Sequence, residues 1–271
     1  MKKDRRDFLK LAGCAAVAGV GSSTAFHSLL RGEAEAAGLR RAGTKKEKTG
    51  VRLGMVIDIQ KFLDDQDLAR RCIRVCHQIH NVPEFGNPKD EIKWLWTDRF
   101  EHVFVKDTHY RQAQHLQGMP VLTLCNHCDN PPCVRACPTK ATFKKADGIV
   151  GMDYHRCIGC RFCMAACPYG ARSFNWRDPR GMDEHGRSFI RELNPDYPAR
   201  TMGVVEKCNF CSKRLAQGKL PACVEEAAGA EAMFFGDLND PNSEVSRVLR
   251  EKFTIQRRPS LGTYPSVFYI I

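Results

Sequence analysis

The chain has 271 residues, a formal charge of +11, 43% hydrophobic residues and 14 cysteines. That apolar fraction excludes a disordered chain, and the length allows one or two domains. Cysteine at this density means disulfides or metal, and the chain is too long for the small secreted disulfide scaffolds.

The first ten residues read Met-Lys-Lys-Asp-Arg-Arg-Asp-Phe-Leu-Lys. The pair Arg5-Arg6 ahead of Phe8-Leu9-Lys10 resembles a twin-arginine signal. An uncharged stretch over residues 11–30 follows, diluted by Gly, Ser and Thr, and it is less apolar than a good membrane span. Ala34-Glu35-Ala36 supplies a small-x-small cleavage site. Residues 1–36 are therefore expected to address the protein, already folded, to the periplasm. An uncleaved anchor is the competing reading, since 20 uncharged residues just span a bilayer. Leu11-Ala12-Gly13-Cys14 matches a lipoprotein box, but its apolar run lies mostly after the cysteine instead of before it.

Residues 37–50 read as a charged linker and residues 51–58 as a strand. Residues 64–81 read as a helix that places Cys72 and Cys76 four apart on one face. Residues 81–117 form an aromatic-rich insertion, strand-like over 92–96 and 102–108. Trp94 and Trp96 either mark a partner surface or pack and shield. Residues 139–156 suit short strands around a Gly148 turn. Residues 177–203, rich in Gly, Pro and charge, read as surface loops. Residues 243–252 read as a short helix and 267–271 as a strand-like tail.

The cysteines fall into four blocks beyond Cys14. Cys157-Ile-Gly-Cys160-Arg-Phe-Cys163-Met-Ala-Ala-Cys167-Pro168 is the bacterial ferredoxin run. Three closely spaced thiolates wrap three irons of one cube. The fourth, carried on by a helical turn and stopped by proline, ligates another cube. Cys125, Cys128, Cys133 and Cys137-Pro138 repeat the run with two extra residues. One [4Fe–4S] cluster (A) is thus expected on Cys125, Cys128, Cys133 and Cys167. A second (B) is expected on Cys157, Cys160, Cys163 and Cys137. His127, inside the run, either ligates or tunes a cluster, or lies outside the ligand shell or in solvent.

The outer blocks are incomplete. Cys208-Asn-Phe-Cys211 is followed by Cys223, with Ala227 where a fourth cysteine belongs. Near Cys72 and Cys76, Phe62 and Ala69 stand at the two missing positions. Under the crossed pattern one cube loses three of its four ligands. The other (C) keeps Cys208, Cys211, Cys223 and Cys76. The expectation is three clusters, with Cys72 a buried free thiol. A structural zinc on the third set is the alternative.

These blocks, Pro221-Ala222-Cys223-Val224-Glu225 and Phe235-Gly236-Asp237-Leu238-Asn239-Asp240-Pro241 resemble the iron–sulfur subunits of complex iron–sulfur molybdoenzymes and related NrfD-type membrane complexes. The resemblance spans residues 51–271. Family members usually hold four cubes, and this chain departs at Phe62, Ala69 and Ala227. Within the family, Gly54-Met55-Val56-Ile57-Asp58, His80-Asn81-Val82-Pro83, Glu91-Ile92-Lys93-Trp94-Leu95-Trp96 and Leu261-Gly262-Thr263-Tyr264-Pro265-Ser266-Val267 resemble periplasmic subunits of dissimilatory sulfur metabolism. This implies an NrfD-like, quinone-interacting integral membrane subunit and a periplasmic multihaem cytochrome c as partners.

The expected fold is α+β, two interlocked ferredoxin-like modules with loop insertions and one cluster site lost. Residues 118–176 form the inner module, and residues 51–117 with 177–271 form the outer one. The expected role is electron relay, not catalysis. A four-thiolate cube has no open iron, and no nucleotide-binding glycine loop, catalytic triad or HExxH motif occurs. An enzyme with a labile, three-cysteine cube is the rival, and no such set is found. Without residues 1–36 the charge is +9. Three clusters at about −2 each leave roughly +3, so no nucleic-acid partner is expected.

Overall fold

The computed structural model describes residues 50–105 and 116–271. The expected export signal and nearly all of the linker lie outside the described residues. The chain runs through β1 (Leu53–Asp58), α1 (Ile59–Asp64), α2 (Gln66–Ile79), β2 (Leu95–Arg99), α3 (Phe100–Val103), β3 (Pro120–Leu124) and α4 (Pro132–Arg135). It continues through β4 (Thr142–Lys144), β5 (Val150–Met152), α5 (Phe162–Ala165), β6 (Ser173–Phe174), β7 (Val205–Glu206), α6 (Ser212–Leu215) and α7 (Ala222–Ala227). It ends with β8 (Met233–Asp237), α8 (Glu244–Glu251), β9 (Thr254–Ile255) and β10 (Val267–Ile270). The result is a mixed α/β protein.

β1 is the strand on which the two ends of the described chain meet. It runs antiparallel to β8, Met55 opposite Phe235, and parallel to β10, Met55 opposite Val267. β9 pairs with β10 and completes the order β8-β1-β10-β9. Both faces of β1 are covered, as the central strand of such a sheet requires. Met55 and Ile57 point into the main core, while Val56 meets Val245 and Val248 of α8. Ser243 caps α8, accepting from the Ser246 N–H at 3.2 Å, and its own hydroxyl donates to the Asp237 carbonyl at 2.6 Å.

The helix expected over 64–81 forms as α2, and a separate short helix, α1, which the sequence did not predict, precedes it. Asp58 caps α1 through the Lys61 N–H. Asp65 caps α2 by accepting from the Asp67 and Leu68 N–H groups at 3.0 and 3.1 Å. A carboxylate that satisfies two orphan amides starts a new helix more favourably than it continues an old one. α2 then packs against α7.

The insertion also differs from the expectation. The strand is Leu95–Arg99, later than residues 92–96, and pairs with β3. Phe100–Val103 is helical where a strand was expected from residue 102, and residues 106–108 lie outside the described residues. Trp94 and Trp96 are buried, so they pack and shield. The short strands around Gly148 form as expected, with β4 paired to β5. Residues 177–203 carry no regular element beyond a Met182–Ser188 bridge, yet Phe189, Ile190 and Arg200 are buried. This excursion is therefore part of the interior as well as the surface.

Gly54 has no room for a side chain. A Cβ there would lie 2.5 Å from Leu238 Cδ1 and 2.8 Å from the Ser266 carbonyl oxygen. Gly54→Ala is expected to push β1 away from β10 and destabilise the fold by about 1–3 kcal/mol. Urea unfolding followed by far-ultraviolet circular dichroism measures the loss.

Candidate metal centre

All 13 described cysteines are free thiols, and most are buried. The two central blocks are built alike. In each, an irregular loop presents cysteines and leads into one helical turn, α4 or α5. The chain then ends the turn with a cysteine and a proline. Arg161 takes a left-handed conformation (φ 62°) to open α5. Gly159, at φ 70°, lets this loop touch the 203 backbone: a Cβ there would lie 2.4 Å from the Gly203 carbonyl oxygen. α4 and α5 pack together, so the last cysteine of each turn is carried towards the other loop.

Cys137, Cys157, Cys160 and Cys163 line one cavity, together with Thr139, Met152 and Val205. Its enclosed space is small, roughly 10 Å³. Among the described residues, no three His, Cys, Asp or Glu side chains converge closely enough to hold one metal ion. Thiolates on a single zinc would lie about 2.3 Å from it, and these four are not grouped that tightly.

The other cysteines are placed by their mutual electrostatics. Burial pushes the Cys128 thiol up to about 12, and the charges of Cys125, Cys133 and Cys167 add to it. Burial likewise raises Cys76 well above the ordinary thiol range, reinforced by Cys208, Cys211 and Cys223. The structure therefore brings each of the sets expected for clusters A and C into mutual range. Cys208, pushed up to about 12 by burial, also feels Cys211 and then Cys125. Cys163, raised by burial, feels Cys133 among its neighbours. The third set thus adjoins the first through Cys208 and Cys125, and the first adjoins the second through Cys133 and Cys163.

Cys72 stands beside the third set. Its Sγ donates to the Cys223 carbonyl at 3.5 Å, and burial, then Glu226, raises it to about 12. Phe62, Cys72 and Ala227 belong to the apolar core, with Ala69 packed against it.

Backbone amides reach the sulfurs: Thr142 N–H donates to Cys137 Sγ at 3.5 Å and Phe210 N–H to Cys208 Sγ at 3.4 Å. His127 does not face solvent. It is fully buried, stacks on Phe210 at 3.7 Å, and its Nδ1 accepts from the Val150 N–H at 3.1 Å. Burial holds its pKa well below the ordinary range, so the ring is neutral.

Three polar residues beside the cysteines escaped the sequence reading. Lys207, 1% exposed, donates to the Val150 and Cys208 carbonyls. Its signal was its place, immediately before Cys208. His80 stacks on Trp94 at 4.4 Å with its Nδ1–H donating to the Cys76 carbonyl at 2.8 Å. Arg172 follows Cys167 by five residues and is also buried.

One buried ion pair holds the 177–203 excursion against α2. Arg200 Nη2 lies 2.5 Å from Glu206 Oε2, both side chains at most 1% exposed. Arg200 also donates to the His80 and Asn81 carbonyls, and Trp94 Nε1–H donates to Glu206 at 2.8 Å. Glu206→Gln leaves the guanidinium buried without a counter-charge. It is expected to cost about 3–5 kcal/mol, read as a lower urea midpoint.

Residues 119–181 match the 4Fe–4S dicluster domain family. The chain is 43% identical over 213 residues to the Hdr-like menaquinol oxidoreductase iron–sulfur subunit 1 of Archaeoglobus fulgidus, covering 76% of this chain and 74% of that one. It is 35% identical over 244 residues to the menaquinone reductase iron–sulfur cluster-binding subunit of Nitratidesulfovibrio vulgaris, covering 81% and 89%. It is 35% identical over 223 residues to protein NrfC of Escherichia coli, covering 82% and 81%. Its cofactors are [4Fe–4S] clusters. With the dicluster match and these long alignments, the chain belongs to the family of iron–sulfur electron-transfer subunits of oxidoreductase complexes.

Proposed function

We propose that this subunit relays electrons through three [4Fe–4S] clusters. The proposed ligands are Cys125, Cys128, Cys133 and Cys167 for A; Cys157, Cys160, Cys163 and Cys137 for B; and Cys76, Cys208, Cys211 and Cys223 for C. The supporting observation is the grouping of twelve thiols into three neighbouring sets in the order C, A, B. The donor chemistry fits. Buried thiols pushed this far up ionise together only around a cationic core, and four thiolates around such a core leave no open iron. The cluster, when bound, supplies one-electron exchange. The chain's own residues exclude water from it, donate amide hydrogens to its sulfurs and keep the sets adjacent.

In this reading residues 118–176 form an inner ferredoxin-like module. The outer module is assembled from both chain halves, in line with the shared sheet of β1, β8 and β10 and with α2 against α7. The subunit is of the DsrO type, from a DsrMKJOP-like complex of dissimilatory sulfur metabolism. It stands in the periplasm after twin-arginine export, between an NrfD-like quinone-interacting membrane subunit and a multihaem cytochrome c. Among the described residues no helix is long and apolar enough to cross a membrane. Its membrane association is through partners. The second reading is another NrfD-type or molybdoenzyme complex. A relative named as the iron–sulfur subunit of arsenate respiratory reductase favours it, as does one named as a subunit of tetrathionate reductase.

Iron analysis of the holoprotein is expected to give about 12 irons per chain. Cys76→Ser is expected to lose about four of them and Cys72→Ser none. Zinc in place of iron, or iron loss from Cys72→Ser, overturns the assignment. Isolating the exported protein with its partners separates the two complexes: a multihaem cytochrome c supports the first, and a molybdenum-containing subunit the second.

A further inference from the structure

Arg172 is 5% exposed, yet no carboxylate pairs with it among the described residues. Its Nη1 donates to Thr142 Oγ1 at 3.2 Å and faces Met152 Sδ at 3.8 Å, while its buried Nη2 has no hydrogen-bond partner. Isolated buried charges are costly and are ordinarily paired. Of the two other buried arginines, Arg200 has Glu206, whereas Arg257 likewise has no carboxylate among the described residues and instead lies over the Tyr169 ring at 5.3 Å and donates to the Tyr169 carbonyl at 3.4 Å.

The groups facing Arg172 are the sulfurs of Cys133, Cys163 and Cys125. Burial alone would weaken its charge, but Cys133, Cys163 and Cys125 outweigh that. Geometry independent of those charges places it at the same spot. Thr142, its hydrogen-bond partner, gives its N–H to Cys137 Sγ at 3.5 Å. Met152, its other neighbour, lines the cavity of Cys137, Cys157, Cys160 and Cys163. Arg172 therefore borders thiols of both inner sets. Lys207 differs, because its ammonium is spent on the Val150 and Cys208 carbonyls.

We propose that Arg172 is a positioning residue acting on potentials: the shared counter-ion of clusters A and B, holding both at higher reduction potentials than their thiolates alone would set. The proposal rests on the three-cluster reading above. Each one-electron reduction adds a negative charge to the site, and a fixed guanidinium in a poorly screening interior favours that state. The same charge offsets the repulsion between two adjacent anionic clusters.

The test is an EPR-monitored redox titration of the holoprotein, with iron counted in parallel. Arg172→Gln is expected to retain its iron and to make reduction of the two inner clusters at least tenfold less favourable, about 59 mV for one electron. The third cluster should shift much less, and Arg172→Lys should restore most of the loss. Unchanged potentials in an iron-replete Arg172→Gln protein overturn the proposal. So does an equal shift of all three clusters, or an Arg172→Lys variant that behaves like Arg172→Gln. Should Arg172→Gln fail to assemble, Arg172→Lys decides: inner potentials near wild type support the role, and a tenfold loss overturns it. A wild-type protein without iron would instead sink the three-cluster reading itself.

Discussion

Ionised thiols cannot crowd together in a dry interior without a cation among them. Cys76, Cys128, Cys208 and Cys223 are all pushed far above the ordinary thiol range by burial and by one another. With nothing bound they stay protonated and neutral, and a whole set ionises only if a cation answers the charge. In the proposed sets the answer is a cationic core, so cofactor binding and folding are one process. The regular structure around the cysteines is correspondingly slight: α4, α5 and α6 are single turns, and three of the four sheets have two strands each.

The four-stranded sheet has a different task. β1 and β10 are more than 200 residues apart in sequence but parallel neighbours in space. Closing so long a loop is a one-time entropic cost that grows only slowly with length, and it is offset by covering β1 on both faces. With β1 fixed, α1 and α2 follow directly, and α2 sets Cys72 and Cys76 against α7 and Cys223. The buried Arg200–Glu206 pair adds a second tie, between the end of α2 and β7, one residue before Lys207 and two before Cys208. Two long-range contacts thus position Cys76 relative to cysteines more than 130 residues away.

Much of this was legible in the sequence because ligand spacing is a local property. The ferredoxin run, the Gly148 turn, the Ser243 cap and the terminal strand each declare themselves within a few residues. What was illegible depended on distant partners. β8 carries Phe234 and Phe235 in succession, without clean alternation, because its two faces meet different cores. β9 is two residues long and exists only because β10 is beside it. The 177–203 excursion looks like surface by composition, and its burial follows from Glu206, which no local pattern connects to Arg200.

In the three-cluster reading, the lost fourth site is the one beside Cys72. An empty cavity there would destabilise the core in proportion to its volume. Here Phe62 is 4% exposed, Ala227 is fully buried, and Cys72 gives its thiol hydrogen to the Cys223 carbonyl. In that reading one bulky aromatic and two small residues stand in place of three ligands, and the neutral Cys72 thiol needs no cation. The replacement is apolar throughout, so it removes charge repulsion next to the proposed third set as well as filling space. Cys76, one turn further along α2, is raised by burial as Cys72 is, but it faces Cys208, Cys211 and Cys223. In that reading a single helix carries one thiol that ionises as a ligand and one that stays neutral as packing.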